Sequence, residues 1–437
     1  MFDYLDRIEQ HLAEAGIRHW EILCTRSLST PVSYEYDKLK ATAYRETSGI
    51  GLRVIHDGRI GLASTSNPNR ITQLVEAARA SAVYGEKAAF EFPSQPTNGA
   101  VKTCDESIPG LTGERLVERG DHIIAAIKEK TPEVQVSIEF HPTVHKITLR
   151  NSTGLNGEYE TTELAVSIEG IVVEGDSILS VYDLHDSCRD DAPLEAMADR
   201  VVDRVSKART LSDLSTGAYP VVFAPKAAAS LLIAIQMGAN GKMVQKRASP
   251  LTERVGERIV DTRISIHDDP LLEFRPGSRP FDDEGIVCRQ NTVVEHGVLK
   301  GFLFDLQTAG QLGTMSTGSA GRGISDPPSP TWTNLVMEPG QDSVEDLLAG
   351  IKKGLWIDQV LGAGQSNLLM GEFSLNVNLG FLVENGEFRG RVKNLMVAGN
   401  VYEALANVEA FSREREYRHG MLLPSILFGK VQVASRA

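Results

Sequence analysis

The amino-terminal 84 residues show two different spacings of hydrophobic positions. Leu5, Ile8 and Leu12 recur on one helical face, and the apolar run at 20–24 that follows has the length of a strand. The runs at 49–55 and 60–65 flank Asp57-Gly58, a pair typical of a tight hairpin, and helical spacing resumes from 67 to 84. The pattern predicts a helix, a strand, a hairpin and a second helix.

A similar order of elements returns between residues 147 and 208. The segment 147–154 leads into strands near 165–173 and 177–182, and a helix is predicted from 193 to 208. This order, with Thr-Ser-Gly at 47–49 and Ser-Thr-Gly at 152–154, suggests a degenerate internal duplication. Residues 92–99 are poor in core-forming side chains and are interpreted as the connector between the two units.

Strand patterns dominate the rest of the chain. We therefore predict an α+β protein, with an amino-terminal α/β two-layer domain at 1–211 and a β-rich carboxy-terminal domain at 212–437. Ser343 and Asp346 have the spacing of a helix capping box, and the Gly-, Ser- and Pro-rich stretch 312–330 predicts a long loop. The other predicted elements here are a strand at 219–223, a helix at 226–237, and strands at 286–294, 298–305, 333–337, 379–383 and 395–398.

Composition limits the classes of function. The 437 residues carry 58 acidic and 45 basic side chains, a formal net charge of −13, which disfavours direct nucleic-acid binding. The four cysteines form no Cys-x-x-Cys pair, which is typical of reduced thiols in the cytosol. The amino terminus lacks the pattern of a signal peptide, and no apolar run approaches the roughly 20 residues that span a bilayer. We expect a cytoplasmic protein that does not enter membranes.

Four short motifs are similar to those of a known family. They are Arg-Pro-Phe-Asp-Asp-Glu-Gly at 279–285, Val-Val-Glu-His-Gly-Val-Leu-Lys-Gly-Phe at 293–302, Ser-Thr-Gly-Ser-Ala-Gly at 316–321 and Gly-Glu-Phe-Ser at 371–374. With these motifs the chain resembles the TldD/PmbA family, whose historical name refers to modulation of DNA gyrase. The better-understood members of that family form a cytoplasmic zinc protease.

The resemblance also implies a motif that this chain lacks. Catalytic members carry His-Glu-x-x-x-His on the helix after the first carboxy-terminal strand, where two imidazoles bind Zn²⁺ and the Glu polarises water. Here that helix, 230–240, contains neither His nor Glu, and 369–374 has no Cys to complete a ligand set. The resemblance therefore implies a PmbA/TldE-like branch with no catalytic residue, metal ligand or cofactor in this chain. Zinc is expected in a TldD-like partner.

Asp282, Asp283 and Glu284 are candidate cleft or interface residues. Neighbouring strand residues point to opposite faces, so only Asp282 and Glu284 could share one site unless the segment turns. Paired carboxylates can bind cations or act as acid and base. The alternative is structural: they accept backbone NH groups at a hairpin entry or pair with Arg279 or Arg289.

Ser316, Thr317 and Gly318 are interpreted as a loop that lines a cleft or interface, because no His with a supporting acid lies at a recognisable spacing. Trp332 is an interface candidate, with core packing as the alternative. Pro142 and its β-branched neighbours predict strands or a turn around His141 and His145, so we expect solvated or hydrogen-bonded side chains and no metal site. We also expect a surface turn at 267–270 and loops around His185, His296 and His419.

Three functions stay open. The chain is a non-catalytic subunit that pairs with a TldD-like chain and helps to admit peptide substrates or unfolded proteins as extended strands. Alternatively, it is an independent peptidase or hydrolase with an unidentified site. The third reading is an indirect modulator of DNA gyrase that acts through degradation of another protein. Whether the chain forms a homodimer when alone is also open.

Overall fold

Two large β-sheets organise the chain in this computed structural model, which describes residues 4–94, 99–175 and 177–435. Within these residues, one sheet has eight strands and the other has eleven. Helices lie against both sheets and strands dominate the carboxy-terminal part, so the predicted α+β class is confirmed. Of the predicted connector at 92–99, residues 95–98 lie outside the described residues.

The first amino-terminal unit consists of five strands, preceded by one helix and followed by another. Its elements are α1 (Tyr4–Glu14), β1 (His19–Ser29), β2 (Val32–Glu35), β3 (Lys38–Thr42), β4 (Arg45–His56), β5 (Arg59–Thr65) and α2 (Ile71–Ala82). β4 pairs antiparallel with both β1 and β5. Asp57 and Gly58 both have positive φ, 50° and 72°, in the tight β4–β5 turn that their sequence predicted.

The second unit repeats the order of helix, antiparallel strands and helix. Its elements are α3 (Gly113–Lys130), β6 (Gln135–Asn151), β7 (Asn156–Glu174), β8 (Ser177–Ser187) and α4 (Leu194–Ala208). β6 pairs with β1, which gives the order β5-β4-β1-β6-β7-β8, while β2 and β3 extend the sheet beside β6. The internal duplication stays a prediction. The proposed equivalence of 47–49 and 152–154 is wrong, because the first segment lies within β4 and the second is the β6–β7 turn.

The two faces of this sheet have different neighbours. Ile22 and Cys24 of β1 point towards α1 and α2 and join their hydrophobic core. Leu23, between them, points the other way and packs with Leu149 and with Phe281 of the carboxy-terminal part. The sheet is therefore covered by helices on one face and by the carboxy-terminal part on the other.

The carboxy-terminal part is built on the second sheet, in which β9 pairs with both β16 and β21. A ring of strands therefore closes in the order β9-β16-β17-β19-β21, leaving fewer free strand edges. The strands of the carboxy-terminal part, of which β13 and β14 form a separate two-stranded sheet, are β9 (Gly217–Phe223), β10 (Ile266–Asp268), β11 (Asn291–Glu295), β12 (Val298–Leu299), β13 (Ala320–Gly321), β14 (Ser329–Pro330), β15 (Leu335–Met337), β16 (Lys353–Leu361), β17 (Glu372–Glu384), β18 (Glu387–Arg391), β19 (Leu395–Asn400), β20 (Val408–Arg418) and β21 (Met421–Ser435).

Short helices connect these strands. They are α5 (Pro225–Gly238), α6 (Gly241–Gln245), α7 (Leu306–Leu312), α8 (Val344–Ala349) and α9 (Val401–Ala406), with 3-10 turns at Ala363–Gln365 and Leu368–Met370. The largest hydrophobic core surrounds α5. Among the described residues, no helix has both the length and the apolar character needed to cross a membrane.

Two predicted strands are shorter than expected. The strand predicted at 286–294 begins only at Asn291, because the residues before it belong to a tight turn around Asp282. The strand predicted at 298–305 ends after Leu299, and Asp305 instead caps α7 by accepting a hydrogen bond of 2.6 Å from the Thr308 NH. The sequence analysis did not predict α7 or the long strands β16, β20 and β21.

Candidate functional site

Helix α5 occupies the place at which the resemblance implied a zinc motif. Its sequence begins with Pro225 at the first helical turn and continues with alanine, leucine and isoleucine side chains that are buried in the carboxy-terminal core. The Tyr402 hydroxyl donates to the Ala234 carbonyl at 3.0 Å. A Cβ atom on Gly238 would come within 2.4 Å of that hydroxyl oxygen, so no larger side chain fits there without a shift.

These residues do not fit a zinc ion. The helix contains no His, Cys, Asp or Glu, the residue types that bind Zn²⁺, and Zn²⁺ needs at least three such ligands from the protein. In the part of the chain that the structure describes, no group of three or more His, Cys, Asp and Glu side chains could hold a metal.

The indole NH of Trp332 donates to the Gln236 carbonyl at 3.1 Å, which fixes this half-buried side chain against α5.

The acidic triplet lies in a turn at the junction with the amino-terminal sheet. Asp282 Oδ1 accepts hydrogen bonds from the NH groups of Glu284 and Ile286 at 3.0 and 2.9 Å, and its Oδ2 accepts from the Ala320 NH at 2.9 Å. Gly285 closes the turn with φ of +81°. Burial raises the pKa of the Asp282 carboxyl to about 6. This carboxyl holds two loops together.

Glu284 belongs to a buried network of four charged side chains. Its Oε1 lies 2.5 Å from Arg53 Nη1 on β4, and its Oε2 accepts from the Leu306 NH at 2.6 Å. Arg53 Nη2 lies 3.0 Å from Glu21 Oε1, which Arg322 Nη2 approaches to 2.6 Å. All four side chains are at most 2% exposed. Burial raises the pKa of Glu284, and the Arg53 guanidinium opposes that shift.

Two aromatic rings complete the environment of Arg53. Its guanidinium carbon lies 4.7 Å from the ring centre of Phe90 and 5.2 Å from that of Phe92, within cation–π range. Glu21 and Arg53 are also direct cross-strand neighbours of β1 and β4. Sequence reasoning did not find this network, although Glu21 and Arg53 are single charged residues within the otherwise apolar runs 20–24 and 49–55.

Asp283 points away from this network. Its Oδ2 accepts from the Arg322 NH at 2.8 Å, and its Oδ1 lies 3.5 Å from Arg279 Nη1. Arg289, the other expected partner, instead donates to the Ser316 carbonyl at 3.1 Å. The segment turns around the Asp282 carboxylate, which accepts backbone NH groups, so the structural alternative of the sequence analysis describes Asp282 and Asp283.

The hydroxyl groups at 316–318 serve the loop itself. Ser316 Oγ donates to the Phe304 carbonyl and accepts from the Gly318 NH, both at 3.2 Å. Thr317 Oγ1 accepts from the Phe304 NH at 2.8 Å. Gly318 has φ of +72°, and a Cβ atom there would lie 2.9 Å from the Val287 carbonyl oxygen. Among the described residues, neither hydroxyl forms a hydrogen bond with an imidazole that would activate it as a nucleophile.

The histidines make local contacts. His141 and His145 lie on β6 and hydrogen-bond Thr143 Oγ1 at 3.1 Å and Ser27 Oγ at 2.7 Å. The expected loop at His185 is wrong, because this residue lies within β8, where its Nε2 is 3.0 Å from Asp191 Oδ1.

The expected surface turn at 267–270 is also wrong. His267 and Asp268 lie in β10, between β11 and β15, and Asp268 is fully buried. Its Oδ1 accepts from the NH and hydroxyl of Thr333 at 2.7 and 2.8 Å. The strand ends at Asp268, so the prediction of a turn holds only for Asp269 and Pro270.

A second buried network joins α4, α5 and β16. Lys226 Nζ lies 3.0 Å from Asp358 Oδ2 and donates to the Tyr182 carbonyl at 2.6 Å. Arg204 Nε donates to Asp358 Oδ1 at 2.9 Å. Burial lowers the pKa of Lys226. Sequence reasoning missed this network, although a lysine at the start of a mostly apolar helix indicates that a buried charge needs a partner.

Comparisons with known proteins agree with the motifs. Three domain models match: PmbA/TldA metallopeptidase domain 1 at 20–82, the central domain at 106–209 and the C-terminal domain at 216–435. The division into two domains at residue 212 stays a prediction.

Individual relatives give the same result. A metalloprotease PmbA homolog of Haemophilus influenzae is 26% identical over 432 residues, covering 95% of this chain and 92% of the relative. A metalloprotease TldD homolog of the same organism is 30% identical over 189 residues, covering 43% of this chain and 39% of the relative. The crystal structure of TldE from Thermococcus kodakarensis superposes with a TM-score of 0.90 at 27% identity and covers 99% of both chains. The chain therefore belongs to the PmbA/TldD family of metallopeptidases.

Proposed function

We propose that this chain is the non-catalytic subunit of a heterodimeric zinc metalloprotease that acts on peptides or unfolded proteins. The zinc ion and the water it activates would belong to a TldD-like partner chain. One observation carries the proposal: α5 presents buried hydrocarbon side chains where a catalytic member needs imidazoles, and the Tyr402 hydroxyl lies against it. We place the complex in the cytoplasm.

The comparisons support this assignment in two ways. The PmbA homolog and TldE align with nearly the whole chain, whereas the TldD homolog aligns with less than half of it. Haemophilus influenzae also has both a PmbA homolog and a TldD homolog, so both kinds of chain occur in one organism.

An independent peptidase is less well supported. Asp282 and Glu284 are fully buried and already accept hydrogen bonds or form an ion pair, so neither carboxylate is free to activate water. Ser316 uses its hydroxyl within its own loop.

The test compares three samples: this chain, a TldD-like chain from the same organism, and their mixture. Zinc is measured by elemental analysis and proteolysis with fluorescently labelled unfolded casein. We expect less than about a tenth of an equivalent of zinc in this chain and chelator-sensitive proteolysis that requires the mixture. About one equivalent of zinc and chelator-sensitive activity in this chain alone would overturn the proposal. Equal activity of the TldD-like chain with and without this chain would also contradict it.

A further inference from the structure

A cleft of about 460 Å³ lies between the first amino-terminal unit and helices α6 and α7. Its volume falls in the range of sites that bind small ligands. The cleft is separate from α5 and from Asp282, Asp283 and Ser316, none of which lines it. None of the residues singled out from the sequence explains it.

The two sides of the cleft have different chemistry. One side is apolar and includes Ile60, Leu62, Tyr84 and Pro327. Tyr84 is 92% exposed, which is unusual for a large aromatic side chain. The opposite side, from α6, α7 and the residue after α6, presents Lys242, Gln245, Lys246 and Gln311. Such a surface can contact hydrocarbon groups and polar groups of one ligand simultaneously.

The two lysines are cations without an acidic partner. No carboxylate of the described residues lies within ion-pair distance of Lys242 or Lys246. Lys242 lies in α6 and Lys246 follows the helix directly in helical backbone conformation, four residues on, which puts the two like charges on the same side, where they repel. A bound anion would relieve this repulsion.

The other charged side chains that line the cleft are Arg53, Asp305 and Glu86. Arg53 is paired with Glu21 and Glu284, and the Asp305 carboxylate caps α7. Glu86 is exposed and lies 3.5 Å from the Gln307 amide nitrogen. The free charge on the α6 side of the cleft is therefore positive.

Two side-chain amides in the same wall have no hydrogen-bond partner among the described residues. They belong to Gln245 and Gln311, and each offers one acceptor and two donors. By contrast, Gln307 is engaged: its Oε1 accepts from the Ala89 NH at 2.9 Å, and its Nε2 donates to the Lys87 carbonyl at 2.9 Å. Free amides beside a cationic pair match the main chain of a peptide that ends in a carboxylate.

We propose that this cleft binds the carboxyl-terminal end of a short peptide. Lys242 and Lys246 hold the terminal carboxylate, Gln245 and Gln311 hydrogen-bond the main chain, and Ile60, Leu62 and Tyr84 contact the last side chains. The choice of a peptide rests on the proposed function, whereas the anion preference rests on the two lysines.

The test measures binding to the purified full chain by isothermal titration calorimetry. The probes are N-acetyl-trialanine with a free carboxylate, the same peptide as its carboxamide, and inorganic phosphate. We expect the acid to bind at least about tenfold more tightly than the carboxamide, and phosphate to bind more weakly than the acid. Equal binding of acid and carboxamide, phosphate binding without peptide binding, or no binding of the acid would each overturn the proposal.

Variants locate the site. The double variant Lys242→Gln/Lys246→Gln is expected to weaken binding of the acid at least about tenfold and to leave the carboxamide unchanged. Lys38→Gln is the matched control, because Lys38 is an exposed lysine on β3, which does not line the cleft. Equal loss in the double variant and in the control would contradict the site.

The two proposals fail separately. Proteolysis by the mixed chains without peptide binding to this chain would remove the cleft proposal and keep the subunit proposal. Peptide binding to this chain without any stimulation of the TldD-like chain would remove the subunit proposal and keep the cleft proposal.

Discussion

Arg53 Nη1 and Glu284 Oε1 form an ion pair of 2.5 Å between residues that are 231 positions apart in the chain. Arg53 belongs to the amino-terminal sheet and Glu284 to the carboxy-terminal part, and their side chains are 1% and 0% exposed. Two charges removed from water are stable only when each finds its partner. The pair therefore requires that the two parts of the chain dock in one register.

Replacing Arg53 should destabilise the protein strongly. Arg53→Met leaves Glu21 and Glu284 buried without their shared cation, for which we expect a loss of about 3–5 kcal/mol in the free energy of unfolding. Urea denaturation measures it. Arg26→Met on β1 is the control, because Arg26 forms an exposed pair with Glu46 and should cost less than about 1 kcal/mol. Losses of similar size in the two variants would show that burial does not make the difference.

A second contact between the two parts depends on a glycine. A Cβ atom on Gly51 of β4 would lie 2.6 Å from the carbonyl oxygen of Ile324, in the loop that crosses this strand. Gly51→Ala should therefore displace that loop and cost about 1–3 kcal/mol in the free energy of unfolding. Gly113→Ala at the start of α3 is the control, because nothing lies within 4 Å of its added Cβ atom. A neutral Gly51→Ala variant would mean that the loop yields without strain.

Local sequence signals predicted the elements they determine. Asp57-Gly58 specifies the β4–β5 turn through two positive φ angles, and the spacing of Leu5, Ile8 and Leu12 specifies the buried face of α1. Both signals act between residues that are close in the chain. Neither depends on a partner elsewhere in the fold.

Contacts between distant segments could not be predicted in this way. The apolar run of β21 gives no hint that it pairs with β9 and β15. Arg279 was a correct suggestion for Asp283, but nothing near Glu284 in sequence identifies Arg53 as its partner. The residue types predict that these carboxylates need polar partners. The identity of a distant partner follows only from the fold.

The capping box at α8 permits a smaller and more local test. Ser343 Oγ accepts from the Asp346 NH at 3.1 Å, and Asp346 Oδ2 accepts from the Ser343 NH at 3.0 Å. Ser343→Ala removes one of these bonds and should cost about 1 kcal/mol in the free energy of unfolding. Ser206→Ala, at an exposed position within α4, should change it by less than about 0.5 kcal/mol. Indistinguishable variants would mean that the cap contributes nothing to global stability.

Asp268 should make the stability of the protein depend on pH. Burial raises the pKa of its carboxyl from 3.8 to about 6 in the folded state, against the opposing effect of its Thr333 hydrogen bonds and of Arg279. Because the folded state binds the proton more tightly, the contribution of this group is present below the unfolded pKa and is lost as pH rises through about 6. The difference of about two pH units corresponds to roughly 3 kcal/mol.

The variant Asp268→Asn keeps an oxygen that can accept the Thr333 hydrogen bonds and removes the titrating group. Between pH 4 and pH 7, its free energy of unfolding should rise relative to the unsubstituted protein by about 2.4 kcal/mol, measured by urea denaturation at each pH, because at pH 4 the carboxyl of the unfolded chain is already partly ionised. Asp213→Asn, at an exposed position, should differ by less than about 0.5 kcal/mol throughout. Asp282, whose pKa burial also raises, is present in all three proteins and cancels in the comparison. A difference for Asp268→Asn that does not vary with pH would mean that this carboxyl stays charged in the folded protein down to the pH at which it protonates in the unfolded chain.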